Sequence, residues 1–342
     1  MKVSLIVPML NEAAHLDEFI ADIANQDFAG ELELVVADGG STDGSPDTVL
    51  AGARRVHIEA TVLENPAGWV SHGLNLCIAA ATGEFLVRLD CHARYPSDYV
   101  SKCVAGLCET GADVVGGVIA ATGRTRMERS VACAMQTRFG GIGFYRTAGG
   151  GDESGRVEAD TVTFGAFRRG TFDRVGLYDE SLRRNQDSDL NLRVRRSGGR
   201  VVLDPAIRVY YRPRGSLREV FRQYHSYGFW RCAVMLKHHH VPGPRNLAPL
   251  AFVASLAVLV PLAVTSVAAR RLLALQVGLY LVLALSAAAV VVWRRRESFT
   301  IIPVVAAVFP AFHVGYGIGM ARRLISAAAA ERRRSVRQAL SS

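Results

Sequence analysis

Three apolar stretches, residues 247–269, 272–293 and about 299–320, each reach the roughly 20-residue length an α-helix needs to cross a bilayer. Inside hydrocarbon every backbone amide must find its partner within the protein, so a spanning segment of this kind is helical. Buried core helices are the other reading, but they would need a second large soluble shell, which 342 residues do not supply. Pro303, Pro310 and His313 make the third stretch the weakest of the set. If all three crossed from a cytosolic domain, Arg294, Arg295 and Arg296 would lie inside and the arginine-rich tail outside, against the positive-inside tendency. One re-entrant segment would keep that tail inside. From Arg270 onward, eleven arginines against Glu297 and Glu331 account for the whole formal excess of +9. Residues 1–269 are therefore close to neutral. That excludes a nucleic-acid-binding catalytic domain, which carries its basic footprint on the fold itself, and it suits a basic tail against anionic lipid.

Ahead of the membrane segments the pattern changes to short apolar runs alternating with helical periodicity. Val3 to Val7 reads as a strand closed by Pro8, then Leu16, Phe19, Ile20 and Ile23 recur at helical spacing. A second buried strand at 32–37 runs into the tight polar loop DGGSTDGS, whose Ser, Thr and Asp residues suit capping of the segment after it. Further strands are expected at 56–63, 84–89, 112–119, 161–167, 201–203 and 207–210, and helices at 73–81, 97–107 and 128–137. This alternation predicts an α/β domain with a mostly parallel, Rossmann-like sheet flanked by helices. Asn11, Glu12, Asp38, Asn65 and Asp90 all fall at strand ends or in the loops just after them. Each alone is an ordinary solubilising loop residue. As a set on one sheet edge they mark the place where α/β folds bind ligands.

The stretch EFLVRLDCHARYP carries the densest chemistry, with Asp90 and His92 two residues apart beyond a strand and Cys91 between them turned into the sheet. Together with PMLNE and VVADGGSTDGS it resembles the inverting family 2 glycosyltransferases with the GT-A fold, over about residues 3–231. The likeness is strongest to the succinoglycan-type branch, which carries Asp-x-His where most relatives carry Asp-x-Asp. The resemblance implies that Pro8 and Glu12 line the nucleotide pocket, Asp38 holds the base, Asn65 belongs to the donor side, and Asp90 serves a diphosphate-bound Mg²⁺ or Mn²⁺. His92 departs from the usual carboxylate: imidazole favours softer ions, so it binds Mn²⁺, contacts phosphate, or points elsewhere.

In RNQDSDLNLRVRRSGGR a helix is expected from Asp187, with acids in its first turn and arginines in its last. Capping alone would explain Asp187 and Asp189. The family places a Glu-Asp pair in this slot, here Gln186-Asp187, which implies Asp187 as general base, with Asp189 as the alternative. The Gly-rich segment at 138–160 is expected to be either a substrate-ordered lid or acceptor loop or simply disordered, and Gly165, Gln186 and Trp230 are the residues the resemblance implies for the acceptor region. Residues 216–237, rich in aromatics and bases, suit a helix lying in a membrane interface. Gln223 and Trp230 loosely echo the Gln-x-x-Arg-Trp motif of processive synthases, with packing as the plainer reading. His238, His239 and His240 read as a solvated run. Six cysteines without a C-x-x-C pair point to reduced thiols facing a cytosol, and no signal peptide is expected from the N-terminal run.

The expected layout is a glycosyltransferase domain at 1–215, an amphipathic interface region at 216–246, three membrane helices (or two plus a re-entrant one) at 247–320, and a basic tail at 321–342. The expected activity is metal-dependent transfer of a sugar from a nucleotide-diphosphate sugar to a polyprenyl-linked or other glycan acceptor, in surface polysaccharide biosynthesis. The expected location is a bacterial inner membrane with the catalytic domain cytoplasmic. A processive polysaccharide synthase and a non-catalytic sugar-nucleotide-binding membrane scaffold are the alternatives.

Overall fold

The computed structural model describes residues 1–140 and 155–341, with side chains to 333. In chain order the elements are β1 (Lys2–Met9), α1 (Ala13–Ala24), β2 (Glu31–Asp38), α2 (Ser45–Arg55), β3 (Glu59–Glu64), α3 (Val70–Ala80), β4 (Phe85–Arg88), β5 (Ala93–Arg94), α4 (Tyr99–Thr110) and β6 (Val114–Ala121). They continue with α5 (Arg126–Met135), β7 (Val157–Glu158), β8 (Ala166–Arg168), α6 (Arg169–Val175), α7 (Gln186–Arg196), β9 (Val201–Tyr211), α8 (Leu217–His238), α9 (Ala248–Thr265), α10 (Val267–Arg294) and α11 (Ile302–Ser341). Two compact units result. Among the described residues, one holds 1–121 and 155–212; the other holds 122–140, with α5, and 213–341.

The first unit is one sheet in the order β3-β2-β1-β4-β8-β6-β9-β5, with β7 also on β9. Its long strands pair parallel, β1 with β2 and β4, β2 with β3, and β6 with β9, while the short strands β5, β7 and β8 pair antiparallel. Both faces are covered, and the strand sequences show why. Val3, Leu5 and Val7 of β1 join the core formed with α1 and α4, whereas Ile6 points to the opposite core with α3 and α7. A strand buried on both sides needs a largely apolar run, which β1, β2 and β4 supply around the buried Ser4, Glu33 and Arg88. Leu16, Phe19, Ile20 and Ile23 are all buried, as their spacing requires. All six cysteines are free thiols.

Several boundaries differ from expectation. β1 runs through Pro8, which pairs with Ala37. α3 starts at Val70, and β3 only at Glu59. The strand expected over 161–167 is reduced to β8, because Phe164 takes a left-handed backbone (φ 52°) and Gly165 turns its carbonyl to the amide of Arg88. The two closing strands are one, β9, which absorbs Asp204 and Pro205 with a register shift opposite Gly116 and Val118.

In the second unit three helices are long and apolar enough to cross a membrane among the described residues: Ala248–Thr265, Val267–Arg294 and Phe299–Arg333. Only Ser266 separates α9 from α10; it is extended and accepts the Ala269 amide as the cap of α10. Gln276 donates to Ser255 across this hairpin at 2.8 Å. α11 continues past the expected end at Met320 because nothing from Ala321 to Arg333 breaks it. α8 is not a lone interface helix. Val220, Tyr224, Gly228 and Cys232 are buried, Tyr224 stacks on Phe312 of α11 at 3.9 Å, and a β-carbon on Gly228 would collide with the Tyr316 carbonyl. The missing side chain is what lets two backbones approach this closely.

At the amino-terminal edge of the sheet, Glu33 is buried and holds β1 to the turn before β4. It accepts from the Ser4 hydroxyl, from Thr82 N at 2.5 Å and Oγ1 at 2.7 Å, and from Gly83 N at 3.1 Å, and it pairs with Lys2 at 2.8 Å. Burial pushes its carboxyl up, but the Lys2, Ser4 and Thr82 bonds overcome this and hold it at about 2. A depressed carboxylate contributes stability above its unfolded value of 4.5 and loses it as pH falls towards 2. Glu33→Ala leaves the Thr82 and Gly83 amides without that partner, so we expect a loss of about 2–4 kcal/mol at neutral pH by denaturant unfolding. The gap to wild type should narrow as pH falls below 4.5.

Candidate active site

Because β3, β2, β1 and β4 are parallel, their carboxyl ends lie on one edge. Met9 stands opposite Asp38, and Asp38 opposite Glu64. The loops beyond these ends are hydrogen-bonded to one another. The Asn11 amide donates to Ser41 Oγ at 2.8 Å, Glu12 N to Ser45 Oγ at 2.9 Å, and Ala13 N to Asp43 Oδ2 at 3.0 Å. In return Asn11 Oδ1 accepts from Thr42 N at 2.9 Å. Asn11 does this from a left-handed backbone (φ 54°), a conformation Asn tolerates better than most residues. α2 starts from Gly44, which makes no side-chain cap; Asp43 instead accepts from Ser45.

Asp38 closes its own turn, accepting from Gly40 N at 3.1 Å, Ser41 N at 2.9 Å and Ser41 Oγ at 2.5 Å, while its carbonyl accepts from Asn65 N. Asn65 is buried, donates to Trp69 O at 3.1 Å and lies 2.7 Å from His72 Nδ1. Pro8, Asn11, Glu12, Asp38 and Asn65 thus belong to one bonded assembly of strand ends. Beyond β4, the Asp90 amide donates to the Tyr95 hydroxyl at 2.7 Å, and His92 Nδ1 lies 3.0 Å from Glu12 Oε1.

Asp187 reaches the same edge from the first turn of α7. Its two carboxylate oxygens accept from Arg88 Nη1 at 2.6 and 2.8 Å, and Arg88 Nη2 lies 3.4 Å from Asp90 Oδ1. Two acids from distant parts of the chain therefore meet at one guanidinium. The Asp187 side chain is 14% exposed and that of Arg88 8%. Burial pushes the Asp187 carboxyl above its ordinary value, and the Arg88 pair pulls it back only in part. The Tyr178 phenol lies beside both groups and is raised by burial. The loop from Tyr178 is tied to α3: Asn75 donates to Tyr178 O and to Glu180, both at 2.9 Å, and accepts from Tyr178 N.

Other expected positions have structural explanations. Asp189 has no exposure and pairs with Arg193 at 2.9 Å; that guanidinium also donates to the carbonyls of Val175, Gly176 and Leu177. A base must reach solvent or substrate, so Asp189 is a strut between α7 and α6. Gln186 is buried in α7. Gly165 is small because a β-carbon there would press on the Phe167 ring and Val114. Trp230 belongs to α8 in the second unit, edge-on to Phe229. Most of the Gly-rich segment at 138–160, expected on the acceptor side, lies outside the described residues.

Two arginines lie outside the sequence motifs, Arg88 at this edge and Arg183 near Trp69. Arg88 was visible as a lone charge in an apolar strand. Arg183 stacks on the half-exposed Trp69 ring at 3.7 Å, a pairing that no local pattern reveals.

Among the described residues no three His, Cys, Asp or Glu side chains converge to hold a metal by themselves. The donor chemistry nevertheless fits Mg²⁺ or Mn²⁺ carried on a diphosphate, since such ions need only one or two carboxylates and take the rest from phosphate and water. Asp90 is the hard oxygen ligand available. Glu12 on His92 Nδ1 is the kind of carboxylate that orients an imidazole, so Nε2 would be its ligand atom.

A model of the family described as Glycosyl transferase family 2 matches residues 4–176. Succinoglycan biosynthesis protein ExoA of Rhizobium meliloti is 32% identical over 290 residues, covering 82% of this chain and 85% of its own. A Methanococcus voltae enzyme named dolichyl N-acetyl-alpha-D-glucosaminyl phosphate 3-beta-D-2,3-diacetamido-2,3-dideoxy-beta-D-glucuronosyltransferase is 23% identical, over 66% of this chain and 71% of its own. The mannosyltransferase PcManGT from Pyrobaculum calidifontis, solved with GDP-Man and Mn²⁺, shares the fold with a TM-score of 0.61 at 21% identity, over 92% of this chain and 86% of its own.

Asn11→Ala removes the bond to Thr42 and leaves in the left-handed region a residue that tolerates it less well than Asn, at a cost of about 1–2 kcal/mol. Calorimetric titration with nucleoside diphosphates should show about tenfold weaker binding, with the melting temperature lowered by only a few degrees.

Proposed function

The chain belongs to glycosyltransferase family 2, and on that footing we propose that it inverts configuration while moving a sugar from a nucleoside diphosphate to a lipid-linked acceptor. The observation that carries this reading is the meeting of Asp90 and Asp187 at Arg88 on the carboxyl edge of the parallel strands. Asp90 lies on the donor side, in the loop tied to Glu12 through His92. Asp187 is the general base. It takes the proton of the acceptor hydroxyl as that oxygen attacks the anomeric carbon from the face opposite the nucleotide. The bond from that carbon to the diphosphate oxygen breaks, and its electron pair leaves with the phosphate. The joined loops bearing Pro8, Asn11, Glu12, Asp38 and Asn65 hold the nucleotide. A divalent ion on Asp90 would neutralise charge growing on the leaving diphosphate.

The membrane helices give the acceptor its rationale. An amphiphilic polyprenyl-linked glycan stays in the bilayer, so an enzyme that uses it must be held there. The name of the Methanococcus voltae relative describes a dolichyl-phosphate-linked acceptor, and that of the Rhizobium meliloti relative a polysaccharide. A multi-pass protein of the inner membrane with its catalytic domain in the cytoplasm, where nucleotide sugars are made, agrees with both. The biological role is then surface polysaccharide assembly.

Asp187→Asn keeps the shape of the site and removes its proton acceptor. Turnover of a nucleotide sugar should fall about 10²–10⁴-fold with nucleoside diphosphate binding retained. Turnover within threefold of wild type would overturn the assignment. The base must be ionised to act, and Arg88, Asp90 and the Tyr178 phenol face it. The acid limb of the rate profile should therefore lie above the ordinary aspartate value of 3.8.

A further inference from the structure

Arg88 lies where a strand of this kind should carry an aliphatic residue. β4 is buried over its whole length, and its other three residues are apolar. Burying a guanidinium costs several kcal/mol, and a buried ion pair is seldom more stable than apolar residues filling the same volume. Fold stability alone does not account for it. Its surroundings are specific. Nη1 holds both oxygens of Asp187, Nη2 reaches towards Asp90, and the Phe164 ring packs 5.8 Å from Cζ. Nε is buried with no hydrogen-bond partner. A stabilising network would be expected to satisfy that nitrogen; here geometry towards the two acids has taken precedence.

The mounting is rigid. The Arg88 amide donates to the Gly165 carbonyl at 3.1 Å, and its Cα is in register with Ile6 of the central strand β1. A carboxylate offers about four acceptor positions, and Nη1 takes one on each Asp187 oxygen, so positions remain for an acceptor hydroxyl. Lysine would supply a point charge without the planar fork that spans both acids.

We propose that Arg88 is a positioning residue for sugar transfer, holding the Asp187 carboxylate charged and aimed and fixing its distance from the donor-side Asp90. The inference rests on Asp187 being the general base. It assigns Arg88 to the base and not to the diphosphate, and the two roles separate experimentally. A phosphate-binding arginine would weaken nucleotide affinity when removed. A positioning arginine leaves affinity in place and lowers turnover.

The test uses the full chain in detergent, with Mg²⁺ and UDP, GDP, CDP and ADP as binding probes and release of nucleoside diphosphate from the matching glucose or mannose donors as the rate. Arg88→Met should lower turnover about a hundredfold or more, and Arg88→Lys about tenfold, because the charge returns without the fork. Nucleoside diphosphate affinity should stay within about threefold of wild type in both, since neither contacts phosphate. Added guanidinium at millimolar concentration should restore part of the Arg88→Met rate, an effect that a purely structural role would not produce. Turnover within threefold of wild type in Arg88→Met overturns the proposal, as does loss of affinity in parallel with rate. If Arg88→Met does not fold, Arg88→Lys decides by the same two measurements. Asp187→Asn run alongside separates the readings: full activity there removes the general base and this inference with it, whereas an inactive Asp187→Asn beside an active Arg88→Met removes the inference alone.

Discussion

One ion pair, largely shielded from solvent, organises the carboxyl edge of the sheet. Asp187 and Arg88 lie 99 residues apart in sequence and meet at 2.6 Å with little solvent on either side. Breaking such a pair leaves an uncompensated charge in a dry place, at a cost of about 3–5 kcal/mol. The sheet must therefore bring β4 and the start of α7 together, and the rest of the first unit is arranged so that it does. Asn75 ties the loop at Tyr178 to α3, and Arg193 with Asp189 fastens α7 to the turn after α6. The start of α7 is held from both sides.

The two ends of the sheet show that an acid means different things in different places. Glu33 and Asp187 are both buried carboxylates with basic partners. Glu33 has its carboxylate surrounded by donors from Lys2, Ser4, Thr82 and Gly83, and its proton affinity is depressed accordingly. It is a structural clasp at the amino-terminal edge. Asp187 has a single strong partner, and burial leaves its proton affinity raised. A carboxylate that is held in place yet ready to take a proton is what the proposed chemistry needs.

Much of this was legible in the sequence where a short-range pattern carried it. The apolar runs of β1, β2 and β4, the helical spacing of Leu16 to Ile23, and the lengths of the three apolar C-terminal segments each come from local periodicity. The polar residues at strand ends fell on one edge because parallel pairing puts them there. What was hidden depends on contacts across the chain. Asp189 stood as the alternative to Asp187 because both lie in one helical turn; the difference is that Arg193, one turn later, closes over Asp189 and Arg88, from a distant strand, meets Asp187. The strand ending at Phe167 was overread because its apolar sequence gives no sign that Phe164 turns left-handed. α8 read as an amphipathic helix of a membrane interface, and its packing on α11 stayed hidden because α11 begins far along the chain, beyond two intervening membrane-length helices.

The three helices long and apolar enough to cross a membrane and the sheet of the glycosyltransferase domain answer separate physical demands. The central claim is that one bound sugar phosphate lies between Asp90 and Asp187, and a structure of the protein with an unhydrolysed nucleotide-sugar analogue tests it most directly. The account predicts the diphosphate at Asp90 and the anomeric carbon on the side facing the Asp187 carboxylate. A donor seated on another edge of the sheet, or one whose anomeric carbon faces away from Asp187, would contradict it.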